Sequence, residues 1–410
     1  MLDIKFVRSQ YKALSEGLYA DWAFFENAGG SYIPRQVLDR FVEFLSEYKV
    51  QPYGPSAMAT RAGDAMDAGY ATIAGLLNAD PDEITIGPST TLNTYVLAQG
   101  IRRSLKPGDE IIVTNQDHEA NIGSWRRLEA EGAVIRQWNI DPATGMLNIA
   151  DLENLLSERT RLACFTLCSN VVGAIHDVAS VCEKVHQAGA LAVGDGVSFA
   201  PHHVLDVKAS GLDVYLFSTY KTFAPHTGVM WMSDRAVAGF EAQGHYFNSG
   251  EPHYRMNPTG PLHAEIGALA GLADYFADLA KHHGGADTAT LRQSAELLNP
   301  LFREHESQLA NRLLDYLGGR HDVRVLGPAR VEGGNRAATI AFTSNNHSSA
   351  QVAAALAEHR IGCGSGNFYA RRCIEAMGIE PEDGVVRVSM VHYNSDDEVE
   401  RLVAALDEIL

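Results

Sequence analysis

Two short apolar runs, each ending beside chemically reactive residues, constrain this chain more than any other feature. Leu191–Gly194 and Val214–Ser218 have the composition of buried strands, and a polar turn region joins them. The first run is followed by Asp195, and the second ends in the cluster Ser218-Thr219-Tyr220-Lys221. Open α/β sheets bind ligands at the carboxyl ends of their strands. The acid and the lysine are therefore expected at one ligand site.

Lys221 can act as a nucleophile if the fold removes it from water. Pro225 and Gly228 follow it and force the chain into a sharp turn. A lysine held in such a place is partly desolvated, and a lowered pKa is what makes an amine a Schiff-base nucleophile. Taken alone, a lysine after a strand is more often a solvated surface residue. The assignment of Lys221 as a nucleophile therefore depends on the rest of the sequence.

The segment FSTYKTFAPHTGVMW, together with the Asp195-Gly196 pair before it, resembles the pyridoxal 5'-phosphate (PLP) lysine segment of the class V aminotransferases. This fold-type I group includes cysteine desulfurases, selenocysteine lyases and isopenicillin N epimerase. The similarity extends from FENAGGSYIPRQV to VVRVSMVHYNSDDEVERLVAAL, which is nearly the whole chain. It implies PLP as cofactor and an α/β fold. That fold has a mostly parallel, seven-stranded-type sheet in a large domain and a smaller α+β C-terminal domain.

The predicted domains are an N-terminal arm at 1–20 that packs with the small domain, a large PLP-binding domain at 21–285 and a small C-terminal domain at 286–410. Helices are predicted from about Pro34 to Tyr48, over Ala65–Leu77 with Asp64 as its cap, and over about Thr290–Leu317 between the domains.

Composition limits the partners. The 410 residues allow one large domain and a smaller one, and the formal net charge is −18. That charge argues against nucleic acid or an anionic membrane surface. There is no signal-like segment and no apolar run long enough to span a bilayer, so the sequence predicts a cytoplasmic protein. The five cysteines show no paired metal spacing, and no metal site is predicted.

The turn between a predicted strand and helix in ITIGPSTTLNTYVLAQGI offers hydroxyl and N–H groups to an anion. Such a turn is more often an ordinary helix cap. The resemblance implies that Thr90 and Thr91 belong to the segment that holds the cofactor phosphate, together with Ser218. The turn carries no GxxxxGK[ST] pattern, which excludes a nucleotide P-loop.

Three further residues are placed around the cofactor ring by the resemblance. His118 would stack over the pyridine ring and take part in catalysis, although a histidine satisfied by loop hydrogen bonds is equally common. Asn170 would bond the phenolic oxygen. Asp195 would face the pyridine nitrogen and keep it protonated, since a charge-assisted hydrogen bond to N–H⁺ is stronger than a neutral one.

Three cofactor-binding candidates depart from the family pattern or have an uncertain register. Tyr220 replaces the usual histidine before the lysine, and Ser198 replaces a glutamine; both still donate hydrogen bonds. The segment around Thr259 resembles the family loop that reaches the cofactor phosphate of a second subunit. The resemblance therefore implies a homodimer with shared active sites.

The substrate-binding candidates are Arg387, Ala28, Gly29 and Tyr369. Arg387 matches the family arginine that binds the substrate carboxylate, for which a guanidinium fork is suited. Without the resemblance, a strand arginine paired with a structural acid is the commoner case. Ala28 and Gly29 belong to a small-residue segment that allows close approach of the backbone to a ligand.

The stretch GSGNFYA occupies the position of the desulfurase motif RxGxxCA and puts Tyr369 at the place of the catalytic cysteine. Without that thiolate no persulfide forms by the family route. The sequence therefore predicts a PLP enzyme acting at Cα of a small amino acid, with transamination favoured. A C–S or β-lyase related to cysteine desulfurase or selenocysteine lyase, and an amino-acid epimerase, are the alternatives. A degenerate binding protein is disfavoured because Lys221, Asp195, His118 and Arg387 occur together.

Overall fold

The computed structural model describes residues 1–248, 250–287 and 289–410. Its strands, numbered in chain order, are β1 Ala23–Phe24, β2 Ile84–Gly87, β3 Glu110–Thr114, β4 Val134–Trp138, β5 Thr160–Thr166, β6 Leu191–Asp195, β7 Val214–Ser218, β8 Gly228–Met232, β9 Val323–Val325, β10 Thr339–Ser344, β11 Ile361–Gly362, β12 Gly364–Gly366 and β13 Val385–Ser389.

The longer α-helices cover Arg35–Glu47, Ala57–Leu77, Thr90–Arg102, Val178–Gln187, Ala270–His282, Leu291–Gly318, Ser349–Glu358 and Asp396–Ile409. Shorter ones cover Ile4–Ser9, Lys12–Ser15, Gly123–Arg126, Ile149–Leu155, Val207–Ser210, Asp234–Gly239, Pro252–Arg255, His263–Ala268 and Arg371–Ala376. Single 3₁₀ turns lie at Pro81–Glu83, Glu119–Asn121, Arg127–Glu131 and Thr219–Lys221.

Within the described residues, the large sheet has seven strands in the order β2-β8-β7-β6-β5-β3-β4. Neighbours from β7 to β4 run parallel, whereas β8 is antiparallel to both β2 and β7. Strands β3, β7 and β8 are buried along their whole length, as expected for a sheet covered on both faces. A second sheet, β12-β13-β10-β9, is antiparallel. The predicted large parallel sheet and smaller α+β part are confirmed.

One helix start differs from the prediction. The helix expected at Ala65 begins at Ala57, and its cap is Ser56, whose side chain accepts from the Ala59 N–H at 3.2 Å. Asp64 therefore lies inside the helix and caps nothing. The residues before it, AMATRAG, are mostly good helix formers, so a favourable cap upstream is enough to extend the helix by two turns.

The N-terminal segment contacts both parts of the chain. Tyr11 Oη donates to Tyr275 Oη at 2.9 Å, and Arg8 forms an ion pair of 2.9 Å with Glu398. Strand β1 pairs in parallel with β11, which attaches the segment before the small-residue motif to the C-terminal part. The predicted divisions of the chain at 20/21 and 285/286 stay predictions. No helix among the described residues is long and apolar enough to cross a bilayer.

Candidate active site

One cavity lies at the carboxyl ends of β5, β6 and β7, beside the N-terminus of the helix Thr90–Arg102. It brings together every cofactor residue predicted from the sequence except Thr259. Its lining consists of Ser89, Thr90, Thr91, His118, Ala120, Thr166, Asn170, Asp195, Val197, Ser198, Ser218, Tyr220, Lys221 and His226. Strand direction explains this convergence, because the carboxyl ends of adjacent parallel strands meet at one edge of the sheet.

Lys221 is a buried amine at the end of a tight turn. Thr219 shapes that turn, since its Oγ1 lies 2.8 Å from Thr227 Oγ1 and its N–H donates to the Thr227 carbonyl. Only 6% of Lys221 is exposed, and no described residue forms a hydrogen bond or ion pair with its Nζ. Burial, with the nearby Arg387 charge, lowers the pKa of Lys221 to about 8. About a fifth of the amine is therefore neutral at a pH near 7.4, far more than for an exposed lysine.

Asp195 ends β6 on the same edge of the sheet. The Val197 N–H donates to its Oδ1 at 2.8 Å and orients the carboxyl group. Burial raises the pKa of Asp195 to about 6, against the opposing effects of that N–H and of the Lys221 charge. The group is thus mainly a carboxylate at neutral pH and is able to accept a hydrogen bond from a protonated ring nitrogen.

A hydroxyl-rich helix start forms another part of the cavity. Ser89 caps the helix by accepting from the Leu92 N–H at 3.2 Å, and Thr90 Oγ1 lies 2.7 Å from Ser218 Oγ. A Cβ atom at Gly228 would lie 2.2 Å from the Ser89 carbonyl carbon, so only glycine lets β8 pass this close to the cap. The helix N–H groups and the hydroxyls together suit a phosphate.

His118 is held as a neutral ring. Its Nδ1 accepts from the Ala120 N–H at 3.1 Å, and its ring centroid lies 5.3 Å from that of Tyr369. Burial lowers the pKa of His118 to about 4, and the charges of Lys221 and Arg387 act in the same direction. An uncharged imidazole is suited to covering an aromatic ring and to exchanging a proton.

Arg387 lies in β13 and is only 3% exposed. Its Nη2 is 2.8 Å from Glu26 Oε1, and its Nη1 donates to the Asn170 carbonyl at 3.1 Å. The Phe368 ring stacks 3.7 Å from the guanidinium carbon. The Asn170 side chain donates to the Phe368 carbonyl at 2.9 Å. The arginine is therefore next to the cavity and already has one carboxylate partner.

The other predicted residues are placed less centrally. Ala28 lines a small cavity together with Lys221, and a Cβ atom on Gly29 would lie 2.9 Å from Glu26 Oε1. Tyr369 is 74% exposed and has a left-handed backbone, with φ of 58°. Thr259 is exposed and lies outside the cavity of its own chain. Its Oγ1 lies 3.2 Å from Asn257 Oδ1.

Sequence reasoning missed several residues of the site, and three of them, Glu26, Phe368 and His226, contact predicted site residues through their side chains. Glu26 immediately precedes the small-residue motif, and an acid at that position was a usable signal for a partner of Arg387. Phe368 and His226 carried no local signal. The His226 ring stacks on Tyr220, with centroids 4.4 Å apart and planes 1° from parallel. It adds a second ring to the cavity beside the residue that replaces the usual histidine.

Comparison with known proteins identifies the chain. The family described as aminotransferase class-V matches residues 23–402. An aminotransferase-like protein of Gibberella zeae is 34% identical, with 99% of this chain and 98% of that protein covered. The chain belongs to the class V aminotransferase family. A cysteine desulfurase-like protein of Aspergillus flavus is 31% identical, and the match covers 100% of this chain and 91% of that protein.

The fold of this member of the class V aminotransferase family matches solved structures of cysteine desulfurases. An apo cysteine desulfurase from Thermococcus onnurineus superposes with a TM-score of 0.85 at 23% identity, and the match covers 100% of this chain and 99% of that one. This similarity shows the fold-type I architecture. Family membership makes the protein a PLP-dependent enzyme.

The residues present fit PLP. The cavity joins a buried amine that forms no hydrogen bond or ion pair with the described residues, a buried carboxylate, and a helix start rich in hydroxyl groups, which are the groups that an aldehyde, a pyridine nitrogen and a phosphate require. Lys221, Asp195 and Thr90 with Ser218 would hold these three parts. When bound, PLP supplies an electron sink for the bonds at Cα of an amino acid.

The pKa of Lys221 leads to a pH-dependent prediction. Because the neutral amine is the nucleophile, the rate at which the apoprotein captures PLP should rise about tenfold per pH unit and level off near pH 8. Stopped-flow absorbance at constant ionic strength measures this rate. In the Arg387→Ala protein the plateau should move to higher pH, because a nearby positive charge is lost. A wild-type rate that keeps rising to pH 10 would contradict the lowered pKa.

Proposed function

We propose that this enzyme acts at Cα of a small amino acid in an aminotransferase-type reaction and is not a persulfide-forming cysteine desulfurase. One observation carries the proposal: Lys221 and Asp195 line one cavity with Arg387 beside it, while the loop at the position of the desulfurase cysteine has Tyr369 there. This set of groups holds an amino acid and moves its α-proton, but it offers no thiolate.

Each group has a defined task in such a reaction. The neutral amine of Lys221 accepts the proton from Cα and returns it. Arg387 binds the substrate carboxylate through its guanidinium, and the Glu26 carboxylate shares that group. The neutral His118 covers the ring side of the cavity and exchanges a proton there. Phe368 stacks on Arg387 and keeps water away from the ion pair.

The two cysteines near the loop are poor candidates for sulfur chemistry. Burial raises the pKa of the Cys363 thiol to about 12, and the Glu26 charge acts in the same direction. Cys373 is fully buried, and burial likewise raises its pKa to about 12. Both thiols are therefore protonated at neutral pH, whereas the thiolate is the nucleophile.

A C–S lyase is the second candidate. The relative from Aspergillus flavus is described as cysteine desulfurase-like, and elimination needs only the same proton transfer at Cα with a leaving group at Cβ. The fungal relative described as aminotransferase-like, with its higher identity, favours the first candidate. An epimerase uses the same groups for proton transfer at Cα, but it returns the proton to the opposite face of that carbon.

A panel of amino acids in D₂O distinguishes these reactions. The holoenzyme is incubated with each amino acid, and Cα deuteration, keto acid and sulfide are measured. Keto acid that appears only with an amino-group acceptor supports the aminotransferase. Racemised substrate selects the epimerase, and pyruvate without an acceptor selects the lyase. The Lys221→Ala protein is the control in every reaction. An absence of Cα deuteration with every amino acid would contradict the proposal.

L-Cysteine should yield negligible sulfide or persulfide sulfur. The expected rate is that of a Cys363→Ser, Cys373→Ser double variant, because neither thiol is ionised near neutral pH. Sulfide is assayed with and without a reductant, which separates free sulfide from bound persulfide. Robust sulfide release that disappears when either cysteine is replaced would show that the loop performs desulfurase chemistry after all.

We also propose a symmetric homodimer in which Thr259 reaches the cofactor phosphate of the partner subunit. This rests on the exposure of Thr259 outside its own cavity. Light scattering should give a dimer at micromolar concentration. Thr259→Ala should weaken PLP affinity about 10-fold to 150-fold, the value of one hydrogen bond to a charged group, without changing the dimer mass. A monomer with full cofactor occupancy would refute the shared site.

A further inference from the structure

A second, much smaller cavity also contacts Lys221. It has a volume of about 10 Å³, and its lining combines the polar residues Asn27, Ser198, His202, Lys221, Thr339 and Ser389 with the apolar residues Ala28, Val197, Pro201, Met390 and Val391. A buried polar cavity of roughly 10–15 Å³ holds one water, provided that two to four polar groups surround it. The size therefore suits a single water molecule, and Lys221 and His202 both belong to the lining around it.

His202 lines a wider cleft as well. This cleft, of about 340 Å³, lies between the turn at residues 202–203, the helix Leu291–Gly318 and the loop at 331–338. Arg303 and Glu304, which belong to its lining, are exposed, so the cleft is open to solvent. His202 belongs to both linings and is the residue through which the small cavity adjoins the cleft.

A buried carboxylate orients His202. Its Nδ1 lies 2.7 Å from Glu306 Oε2, and both side chains are about 95% buried. Asn299 fixes the backbone by donating to the His202 carbonyl at 3.1 Å. A carboxylate accepts the Nδ1–H, which leaves a lone pair on Nε2. Glu306 Oε1 is buried and has no hydrogen-bond partner among the described residues, although Glu306 lines the cleft.

We propose that Glu306, His202 and one water molecule form a proton relay between Lys221 and the cleft. On the outward step, the Lys221 ammonium gives a proton to the water, the water gives one to Nε2 of His202, and Nδ1 gives one to Glu306, which releases it to the cleft. The inward step reverses this order and restores the starting tautomer. Each step transfers one proton and no electrons.

The relay lets the proton held by Lys221 exchange with solvent from a side that substrate does not occupy. Burial lowers the pKa of Lys221 to about 8, so its ammonium group gives up a proton more readily than that of an exposed lysine. Among the described residues, the charged or titratable groups that act on either end are Asp195, Arg387, Glu26 and His118 at Lys221, and Glu306, His203 and His392 at His202. His202 is thus a positioning residue that acts through Lys221.

Two variants test the relay, each with a neighbouring control. His202→Asn can keep the hydrogen bond to Glu306 but has no atom at the Nε2 position. Glu306→Gln keeps the volume and removes the charge, and it covers the case in which the first variant does not fold. The matched controls are His203→Asn and Glu304→Gln, because both residues line the cleft but not the small cavity.

The first readout uses the apoprotein and does not depend on any reaction. Lys221 is labelled by reductive methylation with ¹³C-formaldehyde, and its titration is followed by NMR. Loss of the bridged acceptor or of the Glu306 charge should raise the acid dissociation constant of the Lys221 ammonium about threefold to tenfold. The two controls should equal the wild type. An unchanged constant in both relay variants, or an equal change in the controls, overturns the relay.

The second readout uses the holoenzyme and rests on the proposed function. With an α-deuterated amino acid in H₂O, the relay variants should return more deuterium to the substrate than the wild type or the controls, because exchange from Lys221 is slower. Equal retention in all proteins overturns the relay. If no amino acid exchanges its α-proton, the proposed function fails, while the titration of Lys221 still decides whether the relay exists.

Discussion

The Lys221→Ala protein should contain no PLP that borohydride can fix covalently, whereas the wild type should be labelled at this one lysine. Lys221 is the amine in the cavity, and its lowered pKa makes it a nucleophile near neutral pH. Loss of the group that moves the α-proton should also reduce turnover on the order of 10²–10⁴-fold. Mass spectrometry of the reduced, digested protein measures the label directly.

Fold and chemistry have to be separated in this experiment. Lys221 forms no hydrogen bond or ion pair with the described residues, so its removal leaves no polar partner unsatisfied and the fold should persist. Lys221→Met keeps most of the volume and serves as a second variant. Lys208→Ala is the control, since Lys208 is a half-exposed lysine that pairs with Asp80. Labelling that persists in the Lys221→Ala protein would refute the assignment of the lysine.

Arg387→Ala should weaken the binding of an amino acid by roughly 2–5 kcal/mol, the usual cost of breaking a buried charge pair. This corresponds to a loss of about 30-fold to several thousand-fold in affinity. The guanidinium is 3% exposed, so a carboxylate that reaches it is bound in a medium with little screening. Spectral titration of the holoenzyme with the amino acid gives the dissociation constant.

A ligand without the carboxylate shows whether Arg387 acts on that group. The amine that corresponds to the decarboxylated amino acid should bind the Arg387→Ala and wild-type proteins equally. Glu26→Gln is the matched variant, because it breaks the same 2.8 Å ion pair but keeps the guanidinium. Amino-acid binding should then be unchanged or tighter, since a competing carboxylate is gone. If the amine and the amino acid lose affinity equally in Arg387→Ala, the arginine has only a structural role.

Most of the cofactor cavity could be predicted from the sequence because its residues lie at strand ends and helix starts. Asp195 follows one apolar run, Lys221 follows the next, and Thr90 begins a helix directly after a strand. Their positions along the chain, combined with the resemblance and the rule that parallel strands end at one edge, are enough to bring them together. The helix start at Ala57 shows the limit of this reasoning. Ser56 and Asp64 are both residue types that cap helices, and the sequence alone does not show which of them does so.

By itself, the sequence determined which groups this protein has available: a lysine, an acid, a hydroxyl-rich turn, and a tyrosine at the position of the desulfurase cysteine. Only the tertiary structure decided their partners. Arg387 meets Glu26 across 361 residues, and His202 meets Glu306 across 104. Such contacts depend on how the two sheets and the long helix pack and not on local propensity, so the sequence offers candidate acids but does not show which group each one meets. These pairings set the charge, burial and proton paths around Lys221.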